Sequence, residues 1–140
     1  MSLISHVRLH PLRIPFRRSY QIAAGDAHSH LEVIIAELHT GQGVIGLGET
    51  QVWRRHGSGE TLTGLLDAMR SLLIPALIGQ SVFDIALLAQ RLDEVLSGRL
   101  AAKAALLDAL IDAQARTLKV PAYQLLGGRA RPDVETGAVL

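Results

Sequence analysis

The most restrictive feature of this sequence is a ridge of alanines spaced one helical turn apart near its C-terminal end. Between Leu100 and Leu118 the chain reads LAAKAALLDALIDAQARTL, which places Ala105, Ala109 and Ala113 at i, i+4 and i+8. Residues with this spacing share one helix face, and small side chains on that face let a neighbour approach closely. The pattern predicts a long helix that packs tightly through its alanine face.

The same predicted helix carries two carboxylates one turn apart, Asp108 and Asp112. At this spacing they are close enough to interact and to act as a catalytic pair. The structural alternative is favoured, because Arg116 follows Asp112 by four residues in the acid-before-base order that stabilises helices. The stretch also brings no histidine and no phosphate-binding loop to the pair. We therefore expect both aspartates to serve the scaffold.

Strands are predicted for the first fifty residues. Residues 6–14 alternate in polarity up to Pro11, where we expect the register to break or the strand to bend. Residues 31–40 are rich in β-branched side chains, and the glycine turn at 41–43 joins them to residues 44–50 as an antiparallel hairpin. With the first strand added, the pattern predicts a three-stranded antiparallel sheet.

Two glycines lie inside the third predicted strand, Gly46 and Gly48. A glycine within a strand often marks a place where another backbone or side chain comes close. Because the two positions alternate, they share one face of the strand. We expect another element to approach that face.

From residue 60 onward the hydrophobic period becomes helical. Apolar residues at positions 62, 65, 66, 69 and 73 form one stripe, and Pro75 and Gly79 are expected to end this helix. A second helix is predicted from an N-cap at Ser81 to a terminating Gly98.

The third predicted helix, Leu100–Leu118, is followed by a short fourth one over residues 121–127. Residues 134–140 alternate again and predict a strand for which the sequence holds no further partner. Strands followed by helices favour the α+β class. The expected architecture is a three-stranded antiparallel sheet, a bundle of three to four helices, and one orphan strand.

Composition excludes several classes of protein. Lysine and arginine total 14 against 13 acidic residues, giving a net charge of +1 with no basic stripe, so nucleic-acid binding is not expected. The chain has no cysteine, which excludes disulfide scaffolds and thiol nucleophiles. Residues 1–16 do not read as a signal peptide, and no apolar run approaches the ~20 residues of a membrane span. We expect a cytoplasmic protein with no membrane partner.

Three motifs occur in order along the chain: GVIGLGET at 43–50, SGETL at 58–62 and AAKAALLDALIDAQARTLKVPAYQLLGG at 101–128. Together they resemble the N-terminal signature of the mandelate racemase and muconate lactonizing enzyme branch of the enolase superfamily. The resemblance implies that residues 1–128 form a capping domain of three strands and several helices. It implies further that residues 129–140 begin a modified (β/α)₈ barrel.

In that family the barrel carries the chemistry. Three acidic ligands hold Mg²⁺, and lysine or histidine bases abstract the proton α to a carboxylate. The family reactions are racemisation, epimerisation, cycloisomerisation and dehydration. A barrel needs about 200 to 250 residues, so the resemblance implies no catalytic residue and no metal ligand in these 140 residues. Mg²⁺ is expected for the full-length family enzyme.

The resemblance also places two loops over the barrel mouth, where they contact the distal end of a small carboxylate substrate. They correspond to residues 16–30 and 51–59. The candidate substrate-binding residues in them are Arg17, Arg18, Tyr20, Trp53, Arg54, Arg55 and His56. Arginine pairs suit an anionic distal group, because a guanidinium binds a carboxylate through two hydrogen bonds. The alternative is that the arginines are solvated loop charges and that the aromatic rings pack against the cap.

The histidines are a separate candidate group. His28 and His30 stand two residues apart, as two metal ligands on one strand face would, but no third ligand follows at a suitable spacing. A solvent-facing or loop position is therefore favoured for them. We expect His6 and His10 to lie on the polar face of the first strand.

Two functions of other classes remain open at this point. The chain could be a self-associating interaction module in which strand 134–140 pairs with another copy, since an unpaired strand is a template for edge pairing. It could also bind small anions through its arginine-bearing loops without catalysis. A homo-oligomer is expected under the leading interpretation.

Overall fold

The fold, described here by a computed structural model, begins with three antiparallel strands. They are β1 (Ile4–Tyr20), β2 (His28–Thr40) and β3 (Ile45–Gln51). Their order in the sheet is β1-β2-β3, so β2 is central and the other two are edge strands. The structure describes residues 2–20, 28–52 and 60–137. The predicted three-stranded sheet is confirmed.

The first strand runs through Pro11 without a break. Pro11 continues the β1–β2 register of its neighbours, and the irregularities lie between Ile4 and His6 and between Pro15 and Tyr20. Proline is tolerated here because β1 is an edge strand and needs hydrogen bonds on one side only. The register break expected at Pro11 was wrong.

The helical part of the chain confirms four predicted helical regions. Its elements are α1 (Leu62–Ala68), a π-helical turn (Met69–Leu73), α2 (Ile74–Leu77), α3 (Ile85–Val95), α4 (Leu100–Leu118) and α5 (Ala122–Leu125). Pro75 does not end the first region but lies in the first turn of α2, where the missing N–H costs no helical hydrogen bond. The left-handed Gly79, with a φ of +77°, follows α2.

The start of α3 also differs from the prediction. The residue that caps α3 is Asp84 rather than Ser81. Ser81 forms an isolated β-bridge with Leu3, and its hydroxyl accepts a hydrogen bond from the amide of Phe83 at 3.2 Å. Its partner is therefore the chain before β1, which the local sequence around Ser81 does not reveal.

The predicted orphan strand does not form in the part of it that the structure describes. Residues 134–137 are exposed and belong to no ladder, and residues 138–140 lie outside the described part of the chain. A strand is stabilised by hydrogen bonds to a neighbouring strand. Within the described residues, the sheet offers this segment no partner.

The sheet and α4 meet backbone to backbone at the two strand glycines. A Cβ atom on Gly46 would lie 2.1 Å from the carbonyl oxygen of Ala109, and one on Gly48 would lie 1.9 Å from that of Ala105. Real Cβ atoms essentially never come closer than 3.0 Å to such neighbours. The close approach expected at both glycines is confirmed. The alanine ridge of α4 faces the sheet.

The core lies between the inner face of the sheet and the helices. Its fully buried large side chains include Ile34, Leu38, Leu65, Met69, Leu73, Leu77, Leu88, Leu92, Leu106 and Leu110. The stripe predicted for the first helical region supplies three of them. Burying apolar side chains of this size contributes about 1.5 to 3 kcal/mol each to folding, so this layer holds the helices against the sheet.

Asp112 links α4 to the free edge of β3. Its Oδ2 atom accepts hydrogen bonds from the backbone N–H of Leu47 at 2.9 Å and from Nε of Arg116 at 2.8 Å. Because β3 is an edge strand, the Leu47 amide faces away from β2, and the carboxylate supplies the acceptor that a fourth strand would otherwise provide. Asp108 is exposed on the same helix. The predicted pairing of Asp112 with Arg116 and its scaffold role are confirmed.

We expect Gly48→Ala to destabilise the domain by about 3 kcal/mol, because the added methyl group meets the backbone of α4 rather than a side chain that could turn away. Urea unfolding followed by circular dichroism measures the change. Gly41→Ala is the control: its Cβ would lie 4.0 Å from the nearest atom, so the change should stay within about 0.5 kcal/mol. Equal stabilities for the two variants would contradict the close packing of α4 on β3.

We expect Asp112→Ala to cost about 1 to 2 kcal/mol, because the Leu47 amide loses its partner and Arg116 loses its ion pair. Asp112→Asn should cost about half as much, since its amide oxygen can still accept from Leu47. The same unfolding experiment on Asp108→Ala serves as the control, with an expected change within about 0.5 kcal/mol. An equal loss in the Asp108 variant would argue that general helix effects, not the link to β3, set the result.

Candidate functional site

The candidate site is the far end of the β1–β2 hairpin, which we call the hairpin end and define as residues 12–20 and 28–32. Most of β1 in this region is exposed, including the apolar side chains of Leu12 and Ile14. The helices cover the sheet nearer to the other end of the hairpin, where Leu38 is fully buried. The helices therefore leave most of β1 at the hairpin end uncovered.

Two of the predicted substrate-binding residues are described here. Arg17 and Arg18 both lie in the last part of β1 and are exposed. Their guanidinium groups are thus available to an anionic ligand. Tyr20 is the last residue of β1, and its side chain is outside the described part of the structure. The remaining predicted residues, Trp53, Arg54, Arg55 and His56, lie outside the described residues as well.

The hairpin end also brings together residues that sequence reasoning did not combine. Nη2 of Arg13 donates to Nδ1 of His30 at 3.3 Å, and the hydroxyl of Ser29 lies 3.1 Å from the same nitrogen. Because Arg13 can only donate, Nδ1 of His30 accepts, and its ring carries a proton on Nε2. Nε2 is therefore the ring nitrogen of His30 that is left to donate a hydrogen bond at the exposed end of the hairpin.

Of the two positions expected for His28 and His30, solvent-facing or in a loop, the loop position does not occur, because both residues belong to β2. Their pairing with β1 depends on the hairpin register, in which Pro15 faces His30 and Arg13 faces Glu32. The strand propensity of residues 31–40 gave no sign that β2 begins as early as His28.

The ends of the second predicted loop are held by the scaffold. At one end, the amide of Val52 donates to the carbonyl oxygen of Glu32 in β2 at 2.9 Å. At the other, the buried Glu60 forms an ion pair with Arg99 at 3.5 Å. Arg99 precedes α4 and adopts a left-handed backbone with a φ of 51°. The sheet and α4 thus fix the positions of Val52 and Glu60, the described residues on either side of 53–59.

The SGETL motif has a structural explanation at the same place. Thr61 is the N-cap of α1, and its Oγ1 accepts a hydrogen bond from the amide of Gly64 at 3.1 Å. Glu60 contributes the ion pair to Arg99. The motif therefore begins a helix and joins it to the start of α4.

The charged side chains of the hairpin end are mainly cationic where the structure describes them. Arg13, Arg17 and Arg18 are exposed cations on one hairpin end. Within residues 2–20, 28–52 and 60–137, no three histidine, aspartate or glutamate side chains are arranged to hold a metal ion. These residues do not fit a Mg²⁺ site. No helix in the same ranges is long and apolar enough to cross a membrane.

Comparison with known proteins extends this description. A sequence model of the family "Mandelate racemase / muconate lactonizing enzyme, N-terminal domain" matches residues 5–127. The N-succinyl-L-Arg/Lys racemase of Bacillus cereus is 34% identical over 137 residues, which is 98% of this chain and 37% of that protein. A crystal structure of N-succinyl Arg/Lys racemase from the same species superposes with a TM-score of 0.87, covering 94% of this chain and 35% of that one.

Other relatives differ in the reaction that their names state. A chloromuconate cycloisomerase of Cupriavidus pinatubonensis is 30% identical over 84% of this chain and 32% of its own length. A dipeptide epimerase of Enterococcus faecalis, solved with Mg and the dipeptide L-Leu-L-Tyr, is 31% identical with a TM-score of 0.84, over 91% of this chain and 35% of its own. The chain spans about a third of the length of these relatives. By sequence and by fold, this chain belongs to the mandelate racemase and muconate lactonizing enzyme family of the enolase superfamily, as its N-terminal domain.

Proposed function

We propose that this domain caps the active site of a Mg²⁺-dependent enolase-superfamily enzyme that acts on a small carboxylate. The observation that carries the proposal is the family match over residues 5–127. The relatives' names include a racemase, an epimerase and cycloisomerases. The proposed reaction is accordingly a racemisation, epimerisation, cycloisomerisation or dehydration.

The role we assign to the domain is recognition of the substrate's distal end. The exposed Arg17 and Arg18 support this role, because a guanidinium binds a carboxylate through charge-assisted hydrogen bonds. Arg13 lies on the same hairpin end and adds a third cation. We assign the same role to the other predicted residues of the two loops: Tyr20, Trp53, Arg54, Arg55 and His56.

We assign the acid–base groups and the metal to a barrel that residues 129–140 begin, with residues 1–128 as the cap. Mg²⁺ would there stabilise the negative charge that develops on the substrate carboxylate. By itself, the 140-residue chain would then be inactive. A cytoplasmic location and a homo-oligomeric state belong to the same proposal.

The self-associating module is the weaker alternative. It was based on strand pairing by residues 134–140, and residues 134–137 form no strand within the described structure. The small-anion binder without catalysis shares its arginines with the leading proposal. Measurements of substrate turnover therefore have to distinguish an anion binder without catalysis from the capping domain of an enzyme.

The first experiment grafts the cap onto a known barrel. Residues 1–128 of this chain would replace the matching segment of the B. cereus racemase, and racemisation of N-succinyl-L-arginine would be followed by polarimetry. In this chimera we expect Arg17→Ala combined with Arg18→Ala to raise KM roughly tenfold and to change kcat less, because the lost contacts bind ground state and transition state alike.

The matched control for the graft is Arg70→Ala, which removes an exposed arginine in the π-helical turn. This variant should leave KM unchanged. A folded chimera in which the two alanine variants behave alike would contradict a role for Arg17 and Arg18 in substrate binding.

The second experiment tests whether the chain is inactive alone. We expect the 140-residue chain, incubated in D₂O with Mg²⁺ and N-succinyl-L-arginine or L-Leu-L-Tyr, to show no exchange of the substrate α-proton by ¹H NMR. The B. cereus racemase and the E. faecalis epimerase are the positive controls. Mg²⁺-dependent exchange by the chain alone would overturn the assignment of all catalytic groups to the barrel.

A further inference from the structure

The face of the sheet opposite the helices carries a cluster of titratable side chains. His6 and His10 of β1 and Glu37 and His39 of β2 point to this outer face, and we call these four residues the histidine–glutamate cluster. The register places His6 directly opposite His39. The expected position of His6 and His10 on the polar face of β1 is confirmed by their exposure.

Glu37 is the centre of the cluster. Its Oε2 atom accepts a hydrogen bond from Nε2 of His10 at 2.9 Å, and its Oε1 atom accepts one from Nε2 of His39. One carboxylate on β2 thereby holds an imidazole of the neighbouring strand and one of its own strand. The contact with His10 joins β1 to β2 through side chains, in addition to the backbone ladder.

His39 makes a second cross-strand contact through its ring. The imidazoles of His6 and His39 stack with centroids 4.1 Å apart and planes inclined by 15°. The side chain of His39 is 16% exposed, so water screens this contact less than it screens a fully exposed pair. Two charged rings at this separation would repel each other, whereas a neutral ring and a charged ring do not.

The hydrogen bonds of Ser5 determine which ring nitrogen of neutral His6 carries the proton. The hydroxyl of Ser5 donates to the carbonyl oxygen of His39 at 3.1 Å, which uses its only hydrogen. The 3.1 Å contact between Ser5 Oγ and His6 Nδ1 is therefore a hydrogen bond donated by His6. The neutral ring carries its proton on Nδ1, and acid adds the second proton at Nε2.

The charges around the stacked pair favour a neutral His6. Arg8 lies between His6 and His10 on the outer face, opposite Glu37. From β3, the residues that face His39 and Glu37 are the apolar Ile45 and Leu47, and Glu49 lies further along, opposite Ile35. The carboxylate nearest to the stack is thus Glu37, which already accepts from two imidazoles.

The titration behaviour agrees with this geometry. Partial removal from water, together with the neighbouring His39 and Arg8, lowers the pKa of His6 below its ordinary value of 6.5. Hydrogen bonds from His39 and His10 lower the pKa of Glu37 below 4.5. The folded chain therefore prefers a neutral His6 and an ionised Glu37.

We propose that the histidine–glutamate cluster is an acid-sensitive latch that fastens the first half of β1 to β2 and loosens it when the His6 ring, stacked on His39, becomes charged. β1 is the strand that can yield, because it lies at the edge of the sheet. Its first residue, Ile4, is tied on the other side by backbone hydrogen bonds with Gly79 and Gln80, so the part that can yield begins beyond Ile4. The pairing of β1 with β2 would weaken over residues 6–12, which carry His6, Arg8 and His10.

The pH window follows from the direction of the shifts. The unfolded chain takes up a proton on His6 near pH 6.5, before the folded chain does, so the stabilising contribution is complete above pH 6.5 and is lost as the pH falls through the lowered pKa of His6. Glu37 acts in the same direction, and its contribution is lost only below pH 4.5. The latch therefore responds first through His6.

Hydrogen exchange on the 140-residue chain at pH 7.5 and pH 5.5, corrected for intrinsic exchange rates, tests the proposal. We expect amide protection over residues 6–12 to fall several-fold at pH 5.5, while protection of α4 stays constant. His6→Phe keeps an aromatic ring in the stack and removes its charge, so this variant should lose the pH response. Replacing His30, which lies at the other end of the hairpin, by glutamine is the matched control and should keep it.

Any of three results would overturn the latch. The first is equal protection of residues 6–12 at both pH values in the unmodified chain, a comparison that needs no variant to fold. The second is a His6→Phe variant whose β1 still loses protection as strongly as the unmodified chain. A uniform loss over β1 and α4 together would also contradict the proposal, because it would mean global acid unfolding.

Discussion

The contact between α4 and β3 is the constraint on which the rest of the structure depends. Two strand glycines face an alanine ridge so closely that a methyl group on Gly48 would lie 1.9 Å from a helix carbonyl oxygen. The helix can therefore sit at only one height above the sheet. At that height the side chain of Asp112 reaches the free amide of Leu47. The edge of β3 is thus protected by the same helix that fills the core.

Fixing α4 on the sheet also fixes the parts of the molecule that we connect with function. Arg99 stands directly before α4 and pairs with Glu60, so the position of the helix determines the position of Glu60, the first described residue after 53–59. The central strand β2 pairs with β3 on one side and with β1 on the other. The register set at the buried end of the hairpin is therefore transmitted to Arg13 and His30 at its exposed end.

The sequence could predict what depends on local spacing and could not predict what depends on register. The bounds of α4 and its alanine face follow from a period that is visible in the chain, and the close approach at Gly46 follows from a glycine in a strand. The capping residue of α3 was misplaced because the partner of Ser81 is Leu3, far away in sequence. The Arg13–His30 contact was missed for the same reason, since cross-strand neighbours are defined only once the hairpin pairs.

The inner and outer faces of the sheet differ in the side chains that they can accommodate. On the inner face, the fit of Gly46 and Gly48 to the α4 backbone leaves no space for any side chain. On the outer face, polar and ionisable side chains meet across strands at the surface, as His6 and His39 do. Substitutions there change charge and hydrogen bonding without moving the helices. In such a domain, side chains of the outer face and of the hairpin end can be substituted while the packing of α4 on the sheet stays constant.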